Sequence, residues 1–450
     1  MADFDTEYAA YVAEHGEPDR LELMLCDTNA ILRGKWLPGG SADKLSGGSV
    51  RLPLSTYVLN INGEEVEETG FGIAVGDPDG EVTPLSGTLA PVPWADVHAA
   101  QVMVSLKEDT GEISAIDSRR ILERTVERFT ALGLTPVVAT ELEFYLTQAR
   151  ETADEAPVPP EHTPVAQAYD LDVCSWSEAF LQEVLDGCAA QGLPADTLIA
   201  EYGPGQFEIN FLHQADAVRA ADIAVQFRRL VRAVADKQGM EATFMAKPYA
   251  AEPGNSMHVH VSLVDADGTN LMAGDVEGEL SPLLRQCVGG LLGSMKDLQA
   301  IFAPHMNSYR RFQMNSFAPV AANWGLDHRG AAVRIPATVG PAARLEHRIS
   351  GADVNPYLAL AALLGGMLDG IERDAQVPAP LDEENGPDLA ENRLHANWDQ
   401  AVDAFEAAPI AERIFGVDFV DAYCALRRQE ISTLATQITL AEYQSYLGRL

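Results

Sequence analysis

The 450-residue chain has little positive charge: 31 Lys and Arg stand against 67 Asp and Glu, a formal charge of −36. So acidic a surface excludes DNA, RNA or an anionic bilayer as the principal partner, since each would be repelled. Most of the excess reads as a solvated acidic face. Cysteine is also scarce, with Cys26, Cys174, Cys188, Cys287 and Cys424 scattered and no CxxC pair among them. That scatter excludes a thiolate zinc centre and a disulfide framework, and predicts reduced thiols. Long apolar runs are missing too. The longest, Tyr357 to Leu368, contains two glycines and falls short of the ~20 residues that span a bilayer. The N-terminus is acidic and lacks the basic and apolar regions of a secretory leader, so a cytoplasmic protein is expected. Neither a Walker A motif nor a GxGxxG fingerprint occurs, so any nucleotide must be held by other means. What remains, 47% hydrophobic and 22% charged, suits a folded enzyme of two or three domains.

Short apolar runs at Leu21 to Cys26 and Gln101 to Leu106, punctuated by Gly and Pro, predict a β-rich first domain ending near residue 110. Apolar spacing at Ile121, Leu122, Val126 and Phe129 predicts a helix over Ser118 to Leu132, and the β-branched stretch after Gly133 predicts a strand over Pro136 to Leu146. Ala149 to Gln167 and Asp374 to Asn392 lack periodicity and read as exposed loops. No internal repeat is evident.

The chemistry concentrates in a few alternating segments. Glu141 and Glu143 share one face of the predicted strand. Two carboxylates that close repel unless a cation lies between them or the face is solvated. Glu201 and Glu208 lie seven apart, on opposite faces of a regular strand, but Gly203-Pro204-Gly205 is suited to a bulge or bend that lets them converge. His258, His260 and Ser262 alternate onto one face. A lone strand histidine is commonly structural, whereas three polar residues in register suit metal and phosphate contact. Arg344, Glu346 and Arg348 alternate likewise, and Arg311, Arg329 and Arg334 add guanidinium groups. These either pair with surface acids or recognise carboxylate and phosphate. Five glutamates and one histidine form an oxygen-rich set suited to Mg²⁺ or Mn²⁺. Two such ions would nearly balance five carboxylates, as a phosphoryl-transfer site requires.

Eight ordered motifs carry a family resemblance. They run from Arg33-Gly-Lys through Glu141-Leu-Glu-Phe-Tyr-Leu, Gly203-Pro-Gly-Gln-Phe-Glu, Ala242-Thr-Phe-Met-Ala-Lys-Pro, Met257-His-Val-His, Asn307-Ser-Tyr-Arg-Arg and Arg344-Leu-Glu-His-Arg to Asn355-Pro-Tyr-Leu. With them the chain resembles the glutamine synthetases, and within that family the branch joining glutamate to polyamines. The resemblance implies an α+β fold: a small N-terminal β-grasp domain over 1–110, and a large C-terminal α/β catalytic domain over 111–450 built on a curved antiparallel sheet. It implies a homo-oligomer of stacked rings, a dodecamer, with active sites between neighbours. It also implies that Glu143, Glu201 and Glu208 hold one Mg²⁺ or Mn²⁺ while Glu141, His258 and Glu346 hold another. His260, Ser262, Arg334 and Arg344 would face the co-substrate ATP. Arg311 and Arg348 would clamp L-glutamate beside Gly254, and Arg329 would stabilise the phosphoryl group in transfer. The implied reaction phosphorylates the γ-carboxylate of glutamate, and an amine then attacks the acyl phosphate.

Departures from the family pattern bear on the amine. Where ammonia-using members carry Asp-Gly-Ser-Ser, Arg51 to Thr56 has no aspartate, and where they carry a flap glutamate before Ala-Pro this chain has Phe317. Desolvated ammonium needs such anionic partners. Phe317 is therefore expected to face an alkylated primary amine, as a packing surface or a cation-π face. Putrescine or another polyamine is the first expectation; ethanolamine, methylamine or isopropylamine comes next, and ammonia after them. Glu64, Glu65 and Glu67 are candidate contacts for a distal ammonium. The adenylylated tyrosine of bacterial members has no counterpart near Asp388 to Leu394, and Ala342 replaces a phosphate-side lysine. A catalytically silent regulator or a guanidino kinase fits less well, given the intact metal and glutamate positions.

Overall fold

Two sheets organise the chain in a computed structural model that describes residues 3–161, 163–314, 316–381 and 391–450. The first contains β1 (Arg20–Cys26), β2 (Leu32–Pro38), β3 (Arg51–Pro53), β4 (Asp79–Pro84), β5 (Ala90–Pro91) and β6 (Ala99–Lys107). Its order is β2-β1-β6-β4-β3, with β5 added against β6. The two apolar runs predicted as strands are its centre, β1 and β6, which pair in parallel and are almost wholly buried.

The second sheet comprises β7 (Thr135–Gln148), β8 (Ala195–Ala200), β9 (Gln206–Phe211), β10 (Met240–Thr243), β11 (Met257–Val264), β12 (Trp324–Leu326), β13 (Val333–Ala337) and β14 (Arg344–His347). Its order is β12-β13-β14-β11-β7-β9-β8, with β10 on β7. All its pairs are antiparallel except β12 with β13. Register shifts in β8/β9 and β13/β14 are the irregularities that bend such a sheet.

Alternation gives the second sheet a dry face and a polar face. On the dry side Phe144 meets the rings of Phe180, Phe207, Phe227 and Phe244 at 5.6 to 6.2 Å. Helix Ala217–Lys237 packs there, and the apolar helix Pro356–Glu372, buried from Pro356 to Gly370, packs against that helix. Asn355 caps the latter through Tyr357 N–H and Leu358 N–H. Its amide also donates to Asp27 O at 2.9 Å, tying this helix to the end of β1 in the first sheet. The apolar run of the sequence is thus a core helix, and no described helix is long and apolar enough to cross a membrane. All five cysteines are free.

The helix at Ser118–Ala131 and the strand that follows it form as the periodicity predicts. One loop expectation needs correction: Ala149 to Gln167 has no helix or strand among its described residues, but it is not exposed throughout. Gln167 is buried, accepting from Gly205 N–H and donating to Gln206 O. A polar side chain spent on backbone groups of a turn leaves no periodic trace in sequence. Residues 382–390 of the other predicted loop, with part of the Asp388 to Leu394 segment, lie outside the described residues.

Candidate active site

The polar face of β11, β7 and β9 arranges its side chains in rungs. His258 stands opposite Glu141, Glu143 opposite Glu208, and Tyr145 opposite Gln206. Glu201 reaches this face because Gly203-Pro204-Gly205 is not a bulge within one strand, as expected, but the turn of a β8/β9 hairpin. Ile199 pairs with Glu208, so Glu201, two residues on, shares the Glu208 face. Gly205 supplies the turn with φ +79, and a Cβ there would lie 2.6 Å from Leu146 O.

Hydrogen bonds fix the histidines. Arg344 Nε donates to His260 Nδ1 at 3.2 Å, leaving the proton on Nε2, which lies 2.9 Å from Glu141 Oε1. His258 Nδ1 lies 3.3 Å from Glu141 Oε2. Burial alone would raise Glu141, but its contacts with His258 and His260 prevail and hold it well below the usual carboxylate range. Burial lowers His258, aided by Arg348. Glu346 is also held low, where His258 and Arg348 outweigh its burial. It pairs with Arg348 and with Arg334 Nη1, the latter at 2.7 Å. The inner acids behave oppositely. Burial pushes Glu143 and Glu208 far above the ordinary range, with Glu201 adding to the first and Glu143 to the second.

This pattern fits divalent cations. Oxygen and nitrogen atoms of Glu141, His258 and Glu346 lie within 4.8 Å of one another, as do those of Glu143, Glu208 and His258. The first group is the set predicted for one ion. The second differs from its prediction: Glu143 and Glu208 gather with His258, while Glu201 lines the cavity outside that cluster. Carboxylates that repel into high pKa values are what a cation would relieve, and the donor set suits Mg²⁺ or Mn²⁺.

Two adjoining cavities flank the rungs. His260, Ser262 and Arg344 line one of about 680 Å³, together with Ala342. Every other residue predicted to hold metal, ATP or glutamate, and Phe317, lines the second, of about 550 Å³, and Glu141 borders both. Arg334 therefore parts from the other residues expected at ATP. Asp327 and Glu346 hold its guanidinium in the second cavity. There Arg311 is buried, donating to Ile349 O and Ser256 Oγ. Arg329 is exposed; its guanidinium makes no hydrogen bond or close ion pair among the described residues, but its charge acts on Glu201. Phe317 is 67% exposed, with its ring 5.4 Å from that of Tyr202. Glu64, Glu65 and Glu67 do not line this cavity. Glu64 and Glu65 are engaged with Asn60 and with Ile73 N–H.

Sequence reasoning missed Tyr169, Tyr202, Gln206 and Lys247, all of which line the second cavity. Tyr169 sits at φ 61, a conformation that costs energy in a non-glycine residue and concentrates at functional sites. Nothing in sequence marks such a backbone.

Residues 115–446 match the model of the glutamine synthetase catalytic domain. The chain belongs to the glutamine synthetase family. Curated members of it resemble the chain over nearly its whole length. Gamma-glutamylputrescine synthetase of Escherichia coli is 34% identical, covering 98% of this chain and 94% of the relative. Glutamate–isopropylamine ligase of a Pseudomonas species is also 34% identical, covering 95% of each. Among solved structures, an ADP complex of GmaS superposes with a TM-score of 0.85 at 27% identity, covering 98% of this chain and 99% of that one.

Proposed function

We propose that this glutamine synthetase family enzyme is a carbon–nitrogen ligase. It joins the γ-carboxylate of L-glutamate to a primary amine, putrescine or another polyamine first, and converts ATP to ADP and phosphate. A γ-carboxylate oxygen bonds to the terminal phosphorus of ATP as the bond to ADP breaks. The amine nitrogen then bonds to the acyl carbon, phosphate departs and the ammonium proton is lost. Divalent ions held by Glu141, His258 and Glu346 and by Glu143, Glu201 and Glu208 would neutralise phosphate charge. Arg344, with His260 and Ser262, would line the nucleotide cavity. Arg311 would face glutamate beside Gly254. The exposed Arg329 would stabilise the charge that develops on the transferred phosphoryl group.

The observation carrying the choice of amine is Phe317. Its ring lies 5.4 Å from that of Tyr202, tilted by 52°, at the glutamate cavity, where an ammonia-specific site needs a carboxylate. An aromatic wall buries carbon and faces a cation, but does not replace the hydrogen bonds of a bare ammonium ion. Isopropylamine, ethanolamine or methylamine is the second reading, favoured by the same wall and by the isopropylamine-using relative. We also propose the family's ring-stacked homo-oligomer, a first-domain boundary near residue 110 and a cytoplasmic setting. Free cysteines support the last.

Phosphate release from ATP with Mg²⁺ and glutamate, run across ammonia, methylamine, ethanolamine, isopropylamine, putrescine, cadaverine and spermidine with mass detection of the γ-glutamyl amide, tests the reading. Strong turnover with diamines and little with ammonia is expected. Preference for ammonia would refute it. Phe317→Glu should move the preference toward ammonia, and an unchanged preference would remove Phe317 from amine selection.

A further inference from the structure

The loop Glu252-Pro253-Gly254 has three successive carbonyls, and a side chain from elsewhere takes each one. The Lys247 ammonium donates to Glu252 O, the Tyr145 hydroxyl to Pro253 O at 2.9 Å, and the Gln206 amide to Gly254 O at 3.1 Å. The orientation of Gln206 follows from its surroundings: Gly203 N–H donates to its Oε1, so its NH₂ faces Gly254 O and Asn255 Oδ1. Lys247 is itself fixed at both backbone groups by the Asn307 carboxamide, at 2.7 and 3.0 Å. Asn307 lies in the turn Met306–Arg311, whose last residue donates to Ser256 Oγ. The loop and Arg311 are therefore tied into one unit.

This grip has an electrostatic consequence. Gly254 N–H has no hydrogen-bond partner among the described residues, and Gly254 lines the cavity. A Cβ at Gly254 would lie 2.6 Å from Ala246 O and 2.7 Å from Arg311 Cγ, so this backbone lies directly against the arginine. A carboxylate entering here would be repelled by free carbonyl oxygens and attracted by a free N–H. Engaging all three carbonyls removes the repulsion and leaves the donor. Two of the three gripping side chains are cross-strand partners. Tyr145 and Gln206 form the rung beside Glu143 and Glu208, so the strands that present the metal ligands also set the loop.

We infer that Tyr145, Gln206 and Lys247 are positioning residues that hold the Glu252–Gly254 loop with the Gly254 N–H free to receive a carboxylate of glutamate. The inference rests on the proposed reading of this cavity as the glutamate site. None of the three need touch the reacting atoms. They act through the loop, so their loss should appear in glutamate affinity and spare the chemical step.

The test is steady-state kinetics on the full chain with Tyr145→Phe, Lys247→Met, Lys247→Arg and, as a control, Arg311→Ala. Tyr145→Phe deletes one neutral hydrogen bond with almost no change of shape, and its KM for glutamate should rise about fivefold. Lys247→Met deletes a charge-assisted bond and should raise it at least ~10-fold. Both should leave kcat and the KM for ATP within about twofold. Lys247→Arg should recover most of the loss. If Arg311→Ala raises the glutamate KM while Tyr145→Phe and Lys247→Met do not, the inference is wrong and the site assignment stands. It is equally wrong if those two variants lose kcat with the glutamate KM unchanged. If Arg311→Ala leaves the glutamate KM unaltered, the cavity is not the glutamate site and the reading beneath the inference falls with it. Melting temperatures of each variant confirm that folded protein is being compared.

Discussion

Raising the pH of the metal-free protein from about 6 to about 8 should weaken it, and Mg²⁺ should restore what is lost. Glu143 and Glu208 face each other across β7 and β9. Burial, reinforced by neighbouring carboxylates, pushes them up to about 8 and about 10, whereas in an unfolded chain a glutamate titrates near about 4.3. The folded protein thus holds up to two protons that the unfolded chain has released. A carboxyl raised in the folded state gives stability that is complete below its unfolded pKa and is lost as pH rises through its folded pKa. Each proton gives a slope of ~1.4 kcal/mol per pH unit, so the pair gives at most ~3 kcal/mol per unit between about pH 5 and about pH 8. Glu141 and Glu346 run the other way. They are held low chiefly by His258 against their own burial, and their contribution is lost only in acid, outside this window. A divalent cation replaces the two protons, so its stabilising effect should grow with pH. Scanning calorimetry with and without MgCl₂ or MnCl₂ across this range measures the effect, and titration calorimetry in buffers of different ionisation enthalpy counts the protons released. A metal-induced shift in Tm that is flat with pH, or metal uptake without proton release, would refute the assignment of these acids as ligands.

Two further expectations follow from single contacts. Arg329→Ala should lower kcat by ~10²- to 10³-fold with a small change in the KM for ATP, because its exposed guanidinium is assigned to transition-state charge; equal loss of ATP affinity in a full kinetic profile would reassign it to nucleotide binding. Gly290→Ala should cost roughly 1–3 kcal/mol, since a Cβ there would lie 2.2 Å from Gly366 O and 2.6 Å from Gly370 Cα, where helices Pro282–Ser294 and Pro356–Glu372 cross. An unaltered melting temperature would mean that the helices can separate at no cost.

What was legible in the sequence was whatever a strand period writes down. Glu141 with Glu143, His258 with His260, and Arg344 with Glu346 alternate within single strands, so their shared faces follow from a spacing of two. Pairing between strands is not written that way. The glycines between Glu201 and Glu208 suit a bulge or bend as well as a hairpin, and only the partner register separates these. The parting of Arg334 from Arg344 depends on Asp327, just beyond the end of β12, and Glu346, on β14, both reaching it. Gln206 and Lys247 lie inside quoted motifs, yet their roles depend on which backbone carbonyl lies within reach, a property of loop closure with no sequence period.

The division between strand and loop also separates the two halves of the proposed chemistry. Glu141, Glu143, Glu208, His258 and Glu346 are borne by strands of one sheet, where registers fix their spacing rigidly. The groups assigned to the amine, Phe317 and Tyr202, lie outside the strands and are largely exposed. A loop residue can change size and charge without shifting a rung, so amine selection can be altered while metal and phosphate geometry is preserved. On this reasoning Tyr202→Ala should raise the KM for an alkylamine several-fold, because it removes the ring 5.4 Å from Phe317 and roughly 1 kcal/mol of aromatic contact. The KM for ATP and the metal-induced gain in Tm should not move. If all three change together in Tyr202→Ala, the loop is mechanically coupled to the rungs, and the amine site cannot be redesigned independently of the phosphoryl-transfer site.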